Sequence, residues 1–580
     1  MFSRLFYLSL SFVISIQLLH AKTPREDREP EAATGYQDKK AFRADEYMVV
    51  AANPYASWAG KNILKQGGSA IDAAVAVQAM LTLVEPQSSG IGGGSFILYW
   101  DNKAKKLHTF DGRETAPSKA NIDLFLDNNK PVKWMDAVVG GRSVGVPGTL
   151  KALNMAHEEF GNMPWGKLFD DSINLSHKGF TVSKRLASLL EKELHPGLRK
   201  FRSSSVYFYP NGKGLKLGQV KKNGALARVL MDVAKNGIES FYTGPLAEKI
   251  VKTVEFSSIN PGLLRTNDLA NYKAVKRSPV CGSYKEYKIC GMAPPSSGGV
   301  NVLQILRLLE PYNLSQYAPN SIDAIHLFTQ ASRLAYADRE LYIADMDFTH
   351  LPFSAMVSYR YLKDRSKKIE LNKDMGKTRA GKPFPQMNFV NADAYELPNT
   401  SHFSIIDKQG NAISVTSSIE FAFGSGLMVE GFLLNNQLTD FSFNPYRNSQ
   451  AVLNRVEPNK RPRSAMSPTM VFNNKEQLVA ALGSPGGSRI ISYVAQTLIG
   501  MLDWGLDIQQ AINLPKVTNR NDYTALESNT EIVELKGNLE NRGHSVKVRE
   551  LNSGLLGFEI NNGKIVGGAD PRREGVAVGE

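Results

Sequence analysis

Apolar and polar positions in the first part of the chain predict a helical segment followed by a pair of strands. Residues 54–84 are apolar over most of their length and rich in Ala, which favours helix, and Ser69 is placed to cap a helix there. Residues 95–100 and 106–111 are strand-like runs separated by a short polar stretch. We therefore expect a buried helical segment that leads into a hairpin.

A longer helical region comes next. Helical periodicity dominates from residue 149 to about residue 253. Its breaks are predicted at Pro164, Gly179 and Gly237. Strands are predicted again over residues 281–292, and long helices over residues 300–310 and 321–344.

The remaining third of the chain is predicted to be a loop followed by a strand-rich region. Residues 371–399 are polar, contain Gly and Pro and have no periodicity, which is typical of an exposed loop. Residues 403–406 and 412–416 are strand-like and flank the turn 407–410. Further strands are predicted at 478–482, 546–549 and 564–566, and helices at 490–502 and 530–542. Sheets with covering helices predict an α/β layered sandwich.

The start of the chain has the pattern of a secretory signal. Arg4 supplies a positive charge, residues 5–19 are almost wholly apolar, and Ala21 precedes a charged segment. The apolar stretch is shorter than the roughly 20 residues that span a bilayer. We therefore expect residues 1–21 to be a cleaved signal peptide and the protein to be periplasmic or secreted. An uncleaved signal that anchors the protein to the membrane is the alternative.

Composition and charge exclude several classes of protein. The 580 residues are 42% hydrophobic and 22% charged, which is ordinary for a folded domain and unlike a disordered chain. The net charge of +13 is spread along the sequence without a run of five basic residues. A nucleic-acid-binding protein more often concentrates such charge in a stripe or arm, so we expect no nucleic-acid partner.

The cysteines and histidines do not predict a metal centre. Only two cysteines are present, Cys281 and Cys290, which excludes a cysteine-rich metal site. They flank a polar turn, so they could form a disulfide across a hairpin or remain free. His157 and Glu158 lack the second histidine that a zinc-protease helix requires. We expect no bound metal.

The strongest chemical signal is the segment around Thr400. A threonine hydroxyl is a poor nucleophile unless a base lies beside it, and a free terminal amine can be that base. An α-amine has a pKa of about 7.7 to 8.0, so much of it is unprotonated near neutrality. This chemistry requires cleavage between Asn399 and Thr400, at the end of the predicted loop. The alternative is an ordinary hairpin. The serine pattern at residues 141–145 is disfavoured as a nucleophile elbow because no helix begins directly after it.

Several longer motifs point to one family. The segment Asn399-Thr-Ser-His-Phe-Ser404 resembles the sequence that opens the small subunit of γ-glutamyltranspeptidases (glutathione hydrolases). The other motifs that resemble this family are Glu85-Pro-Gln-Ser-Ser-Gly-Ile-Gly-Gly-Gly94, Arg113-Glu-Thr-Ala-Pro117, Gly145-Val-Pro-Gly148, Pro294-Pro-Ser-Ser-Gly-Gly299, Leu434-Asn-Asn-Gln-Leu-Thr-Asp440, Pro458-Asn-Lys-Arg-Pro462 and Gly483-Ser-Pro-Gly-Gly-Ser488. The resemblance implies an αββα sandwich of the N-terminal nucleophile hydrolase type, formed jointly by two self-processed subunits, 22–399 and 400–580.

The resemblance also implies the catalytic residues. Thr400 would be the nucleophile both in self-cleavage after Asn399 and in turnover, with its own amine as the base. Ser418 stands where the family has a second threonine that hydrogen-bonds the nucleophile. Gly486 and Gly487 would form the oxyanion hole with their main-chain N–H groups.

The same resemblance implies a clamp for the glutamyl group of the substrate. Arg113 and Ser464 would bind its α-carboxylate, and Gln437 and Asp440 its α-ammonium. These residue types suit the roles, because a planar guanidinium matches a carboxylate and a carboxylate matches an ammonium. Glu420 occupies a position that is often Asn, and we expect it beside Asp440 near the ammonium. The alternative is that it points away and pairs with a basic side chain.

Two further departures from the family pattern concern the same pocket. Ala465 follows Ser464 where the family commonly has a second serine. The stretch 440–464 is shorter than in members that carry a full lid loop over the glutamyl pocket. These departures bear on the choice of donor and on the ratio of hydrolysis to transfer.

The implied activity is that of a cofactor-free γ-glutamyl hydrolase and transferase. Expected donors are glutathione, glutamine and other γ-glutamyl amides, and expected acceptors are water and the amines of amino acids or peptides. A relative that uses γ-linked polyglutamate or a glutaryl-β-lactam is the enzyme alternative. A processed scaffold without turnover is the non-enzyme alternative.

Overall fold

The computed structural model describes residues 34–384, 389–392 and 399–580. The predicted signal peptide lies outside the described residues, and so do parts of the predicted loop at 385–388 and 393–398. Among the residues that are described, no helix is long and apolar enough to cross a membrane.

Helices and strands occur along the whole described chain. The α-helices are α1 (Pro54–Lys65), α2 (Ala70–Val84), α3 (Trp134–Val138), α4 (Thr149–Phe160), α5 (Asp170–Lys178), α6 (Lys184–Glu191), α7 (Arg202–Phe208), α8 (Gly224–Asn236), α9 (Glu239–Tyr242), α10 (Gly244–Glu255), α11 (Thr266–Asn271), α12 (Gly298–Leu309), α13 (Ile322–Tyr342), α14 (Met346–Thr349), α15 (Tyr359–Ser366), α16 (Ile490–Leu502), α17 (Ile508–Asn513) and α18 (Lys536–Asn541). The strands are β1 (Phe42–Ala44), β2 (Met48–Ala51), β3 (Gly94–Asp101), β4 (Lys106–Gly112), β5 (Leu126–Asp127), β6 (Lys130–Pro131), β7 (Phe180–Thr181), β8 (Val220–Lys221), β9 (Val275–Lys276), β10 (Val280–Tyr284), β11 (Tyr287–Gly291), β12 (Ser401–Ile406), β13 (Ala412–Ser418), β14 (Met428–Val429), β15 (Phe432–Leu433), β16 (Tyr446–Arg447), β17 (Gln450–Ala451), β18 (Thr469–Phe472), β19 (Leu478–Gly483), β20 (Val517–Asn519), β21 (Thr524–Glu527), β22 (Val546–Arg549), β23 (Leu556–Asn561), β24 (Lys564–Ala569) and β25 (Val576–Gly579).

Two seven-stranded antiparallel sheets form the centre of the molecule. The first has the strand order β1-β24-β23-β19-β18-β11-β10 and the second the order β25-β2-β12-β13-β3-β4-β9. The sheets pack face to face, with β12 and β13 against β19 and β23. Helices α1, α2 and α4 cover the second sheet, and α12, α16 and α17 cover the first. The predicted αββα sandwich is confirmed.

The alternation of side chains along β12 explains why this strand is buried on both faces. Phe403 and Ile405 belong to the core beneath the covering helices of the second sheet. His402 and Ser404 point the other way, and the His402 ring lies so close to Gly483 of β19 that a Cβ there would be 2.4 Å from it. The glycine thus permits close contact between the two sheets.

Segments from before and after residue 400 interleave in both sheets. In the second sheet, Phe403 pairs with Ala51 of β2, and Val415 of β13 pairs with Ile97 of β3. In the first sheet, β18, β19, β23 and β24 lie between β1 on one side and β11 and β10 on the other. A cut before Thr400 would therefore leave the two pieces joined by strand pairing and shared cores.

The predicted helical segment 54–84 is interrupted. It consists of α1 and α2, because Gly67 adopts a left-handed backbone (φ +86°) just after α1 ends. The predicted cap at Ser69 is confirmed: its hydroxyl accepts from the main-chain N–H of Asp72, and the Asp72 carboxylate accepts from the N–H of Ser69.

Most other predicted elements are confirmed with shifted ends. Helices occupy much of 149–253, with Gly179 and Gly237 at the ends of α5 and α8. The predicted helix at 530–542 is a 3₁₀ turn, Glu531–Leu535, followed by the short α18. Where it is described, the predicted loop is partly exposed and partly half-buried, and the Asp374 carboxylate is buried and pairs with Arg333.

The two cysteines lie opposite each other in the predicted hairpin. Cys281 of β10 and Cys290 of β11 are directly paired positions in the antiparallel register. They form a disulfide bond. Of the two states that the sequence allows, the structure therefore has the bridged one.

Candidate active site

Thr400 lies directly before β12, at the end of an interior strand of the second sheet. Its side chain is almost fully buried, at 4% exposure, and the preceding Asn399 is completely buried. The Thr400 hydroxyl donates a hydrogen bond of 3.3 Å to Oγ of Ser418, the last residue of β13. The adjacent antiparallel strands bring these two hydroxyls together, because Ser401 pairs with Ser417.

Ser418 connects the candidate nucleophile to the peptide bond that precedes it. The Asn399–Thr400 bond is intact in this structure. The Ser418 hydroxyl donates to the main-chain oxygen of Asn399 at 2.9 Å and accepts from the main-chain N–H of Glu420 at 2.8 Å. Ser418 thus polarises the carbonyl that Thr400 would attack.

A small cavity opens beside these hydroxyls. Its lining residues are Arg113, Thr400, Ser418, Glu420, Gln437, Asp440, Ser464, Ala465, Met466, Gly487 and Ile490. The structure therefore brings together every predicted catalytic and substrate-binding residue except Gly486, which precedes Gly487 in the same turn.

Arg113 and Asp440 form a buried ion pair in the cavity wall. Nη2 of Arg113 lies 2.5 Å from Oδ2 of Asp440 and also donates to the main-chain oxygen of Arg463 at 2.8 Å. Nε of Arg113 donates to the main-chain oxygen of Pro462 at 3.2 Å. The cavity thus presents a positive and a negative group side by side, as the carboxylate and ammonium of an α-amino acid require.

Glu420 lies in the same wall. Its backbone adopts a left-handed conformation, with φ +77°, and its carboxylate accepts a hydrogen bond from the side-chain amide of Asn436. Glu420 and Asp440 both line this cavity. Left-handed backbone favours Asn over Glu, which fits the Asn that the family often has here.

Ser464 and Gln437 complete the pocket from two loops. Ser464 is held by main-chain hydrogen bonds, because its N–H donates to Pro295 and its carbonyl accepts from Ser297. Gln437 begins the 3₁₀ turn Gln437–Asp440, and Oε1 of Gln437 has no hydrogen-bond partner among the described residues. That oxygen is an acceptor available to a substrate ammonium.

The glycine pair forms a tight turn beside the cavity, which Gly487 lines. Gly486 has φ +135°, and a Cβ there would lie 2.7 Å from the Tyr493 ring, so only glycine fits. Gly487 opens the 3₁₀ turn Gly487–Arg489, which continues directly into α16. The beginning of a helix carries partial positive charge, which suits a site for a developing oxyanion.

Two buried titratable groups flank the site. Burial lowers the pKa of His402 to about 3, so its imidazole is neutral between the hydroxyls of Thr416 and Ser404. Burial raises the pKa of Glu114 to about 8, although the neighbouring Arg113 opposes the shift. Glu114 is therefore mostly neutral at pH 7 and adds little negative charge beside Arg113.

Sequence patterns did not predict the residues that contact the side chain of Asn399. Its side chain contacts Ser88 and Arg185, which in turn contact Glu85. Glu85 and Ser88 lie in a motif that resembles the family, whereas nothing in the sequence around Arg185 signals a role in the site. The serine pattern at 141–145 is structural, since the buried Ser143 hydroxyl donates to a main-chain carbonyl.

Residues 56–580 match the sequence profile of the family described as Gamma-glutamyltranspeptidase. The chain belongs to this family. A Bacillus subtilis (strain 168) protein named Glutathione hydrolase proenzyme is 35% identical over 584 residues, which cover 98% of each chain. A protein of the same name from Escherichia coli (strain K12) is 36% identical over 540 residues, which cover 91% of each chain. The predicted family is confirmed, and these relatives support an enzyme of the γ-glutamyl transferase and hydrolase class.

The fold comparison agrees with the family. The crystal structure of a cephalosporin acylase from Bacillus halodurans superimposes with a TM-score of 0.83 and 25% identity, over 94% of this chain and 97% of the acylase. The N-terminal nucleophile hydrolase fold is therefore confirmed. Among the described residues, no group of three His, Cys, Asp or Glu side chains is arranged to hold a metal ion.

Proposed function

We propose that this family member cuts its own chain between Asn399 and Thr400 and then uses Thr400 to transfer or hydrolyse γ-glutamyl groups. One observation carries the proposal: the hydroxyls of Thr400 and Ser418 and the carbonyl of Asn399 form one hydrogen-bonded chain beside the Arg113–Asp440 pair. The proposed nucleophile, the carbonyl that it attacks and the residues that would bind an amino-acid group lie in a single buried site.

Self-cleavage would begin with attack of the Thr400 oxygen on the Asn399 carbonyl carbon. The new C–O bond replaces the C–N bond, and the hydroxyl proton ends on the freed α-amine of Thr400. Water then hydrolyses the ester, which gives Asn399 a terminal carboxylate and restores the hydroxyl. The products are a large subunit, 22–399, and a small subunit, 400–580, held together by the interleaved sheets.

In turnover the freed amine would be the base. It takes the proton of the Thr400 hydroxyl as the oxygen attacks the γ-carbonyl of the donor, and it returns that proton to the leaving amine. Main-chain N–H groups of Gly486 and Gly487 stabilise the oxyanion that forms. Water, or the amine of an amino acid or peptide, then resolves the γ-glutamyl ester. The chain's own residues supply every group that these steps use, and we expect no metal or organic cofactor.

The residues that bind the glutamyl group would orient the donor for this reaction. Arg113 and Ser464 bind the α-carboxylate, while Asp440, Gln437 and Glu420 face the α-ammonium. Fixing both charged groups on one carbon places the γ-carbonyl at a defined distance from Thr400, which converts binding energy into orientation. Glutathione, glutamine and other γ-glutamyl amides share this amino-acid end.

Release of the coloured amine from a γ-glutamyl anilide tests the proposed activity. We expect release by the processed protein, faster when an acceptor dipeptide is added, and none above background by Thr400→Ala. A glutaryl-β-lactam and γ-linked polyglutamate should be assayed in parallel, because the fold is shared with a cephalosporin acylase. Hydrolysis of either with no anilide turnover would contradict the proposed donor.

We also propose that the protein is exported and that residues 1–21 are removed. The support is the sequence pattern alone, since these residues lie outside those that the structure describes. Amino-terminal sequencing of the large subunit tests the proposal. A start at Lys22 is expected, whereas a start at Met1 in the membrane fraction would favour the uncleaved anchor.

A further inference from the structure

The side chain of Asn399 is held on three sides in the uncut chain. Its Nδ2 donates to the main-chain oxygen of Gln87 at 2.7 Å. Its Oδ1 accepts from Nη2 of Arg185 at 2.9 Å and lies 2.9 Å from the Ser88 hydroxyl. Both ends of the amide are therefore fixed, and Asn399 itself is completely buried.

Arg185 is the centre of this arrangement. It is the second residue of α6 and is 2% exposed. Besides Asn399, it contacts the Ser88 hydroxyl at 2.9 Å and forms an ion pair with the buried Glu85 carboxylate. The main-chain N–H of Arg185 donates to the carboxylate of Glu574 at 2.8 Å. A buried guanidinium is tolerated here because a buried acid lies against it.

Glu85 and Ser88 orient the guanidinium of Arg185, and among the described residues neither side chain hydrogen-bonds to the Asn399–Thr400 peptide bond. The Ser88 hydroxyl lies 3.0 Å from Oε2 of Glu85 and 2.9 Å from Oδ1 of Asn399, and it has one proton to share between them. Arg185 donates to all three residues. We call Glu85, Ser88 and Arg185 the Asn399 clamp.

The Asn399 clamp and Ser418 bind opposite ends of Asn399. Ser418 donates to the main-chain oxygen of Asn399, and the clamp holds its side-chain amide. With both ends fixed, the plane of the Asn399–Thr400 peptide cannot turn away from the Thr400 hydroxyl. Misplacement of reacting atoms by about 1 Å can cost a reaction about a hundredfold.

We propose that Arg185 is a positioning residue for self-cleavage, which acts through the side-chain amide of Asn399 to hold the scissile carbonyl against Ser418. This inference rests on the proposed function, because it concerns the same self-cleavage. The bond changes are those given above: Arg185 neither gives nor takes a proton. The same inference predicts that self-cleavage is specific for the residue before the cut, because a side-chain amide of the length of Asn fits the Asn399 clamp.

A double-mutant cycle separates positioning from a general effect on folding. Self-cleavage is followed on gels after a pulse of cell-free synthesis, for wild type, Arg185→Lys, Asn399→Ala and the double variant. Lys keeps the charge but has one nitrogen in place of the two terminal nitrogens, Nη1 and Nη2, that make these contacts. We expect Arg185→Lys and Asn399→Ala each to slow cleavage by about tenfold or more, and the double variant to be no slower than Asn399→Ala alone.

A matched control is Arg333→Lys, which changes another buried arginine whose partners are Asp374 and the main-chain oxygen of Asp522. It should cleave at the wild-type rate. The inference is wrong if Arg185→Lys cleaves at the wild-type rate. It is also wrong if adding Arg185→Lys to Asn399→Ala slows cleavage by the same factor as adding it to the wild type. If Arg185→Lys does not fold, Ser88→Ala replaces it in the same cycle with the same criterion.

A separate control distinguishes failure of this inference from failure of the proposed function. Thr400→Ala is synthesised beside the other variants. If it stays uncut while Arg185→Lys behaves like wild type, only the role of the clamp is rejected. If it is cut, Thr400 is not the processing nucleophile and both proposals fall.

Discussion

The Ser418 hydroxyl donates a hydrogen bond of 2.9 Å to the main-chain oxygen of Asn399. This contact places a polarising group on the scissile carbonyl, while the same Ser418 oxygen accepts from the Thr400 hydroxyl. A donor aimed at a developing oxyanion commonly contributes about a hundredfold or more to the rate of acyl transfer. The proposed mechanism therefore gives Ser418 two roles: it guides the nucleophile and activates the bond that the nucleophile attacks.

Ser418→Ala should slow self-cleavage by about 100-fold or more, because the carbonyl loses its donor. Ser418→Thr keeps the hydroxyl and should cleave at a rate close to wild type. Ser417→Ala is a matched control, since it removes a buried hydroxyl from the neighbouring position that has no hydrogen-bond partner among the described residues. Gel densitometry over time measures all three. Equal rates for the two alanine variants would contradict the role of Ser418.

Arg113→Ala should be processed normally but lose turnover. The loss of a shielded, charge-assisted contact to the substrate carboxylate costs about 1.5 to 3 kcal/mol, which is roughly 10- to 150-fold in kcat/KM. Most of the loss should be a higher KM, with a lower kcat from misorientation. Steady-state kinetics with a γ-glutamyl anilide give both constants. An unchanged KM would remove Arg113 from the substrate clamp.

Glu420→Asn should raise KM for γ-glutamyl donors and leave self-cleavage unchanged. The contact with Ser418 uses the main-chain N–H of Glu420, which the substitution keeps. Thermal stability should not fall greatly, since Asn tolerates the left-handed backbone at this position better than Glu. Glu420→Gln, which keeps the length but loses the charge, is the companion variant. If KM is unchanged in both, the carboxylate serves only to hold Asn436.

The pH dependence of KM should report on Glu114. Its pKa is raised to about 8 by burial, so the carboxyl is neutral below that pH and charged above it. Once ionised, it lies 3.5 Å from Arg113 and competes with the substrate carboxylate for the guanidinium. KM should therefore rise above about pH 8 in wild type, and less so in Glu114→Gln. Parallel KM profiles for the two proteins would contradict this.

The same shift has a consequence for stability. A carboxyl with an ordinary pKa of 4.5 that is raised to about 8 on folding binds its proton more tightly in the folded state. The folded protein therefore loses stability as the pH rises from about 4.5 to 8. Glu114→Gln removes this dependence, which thermal melting at several pH values can measure.

Much of the fold follows from local patterns, and the missed parts have a physical reason. The hairpin of β12 and β13 and the long helix α13 were predicted because their apolar positions have a clear period over enough residues. Strands β2, β18, β23 and β25 were not predicted. They are short and packed within the two sheets, and short apolar runs look alike in helices and buried strands.

The candidate site shows the same division. Thr400 was predicted from the chemistry of its own segment, and the turn of Gly486 and Gly487 from a continuous motif that resembles the family. Arg185 was missed, since it reaches Asn399 across 214 positions in sequence and its neighbours show no pattern. Such a contact exists only once the sheets and helices have assembled, and no local pattern in a single sequence indicates that two residues so far apart will meet.

The most direct test of the account is the fate of the Asn399–Thr400 bond in Thr400→Ala. By proportion of 63.9 kDa over 580 residues, wild type should give pieces of about 42 and 20 kDa that copurify, the smaller one beginning at Thr400. Thr400→Ser, which keeps the hydroxyl, should still be cut. Thr400→Ala should remain a single chain by intact mass. Cleavage of Thr400→Ala at the same bond and rate as wild type would contradict the central claim that Thr400 is the nucleophile.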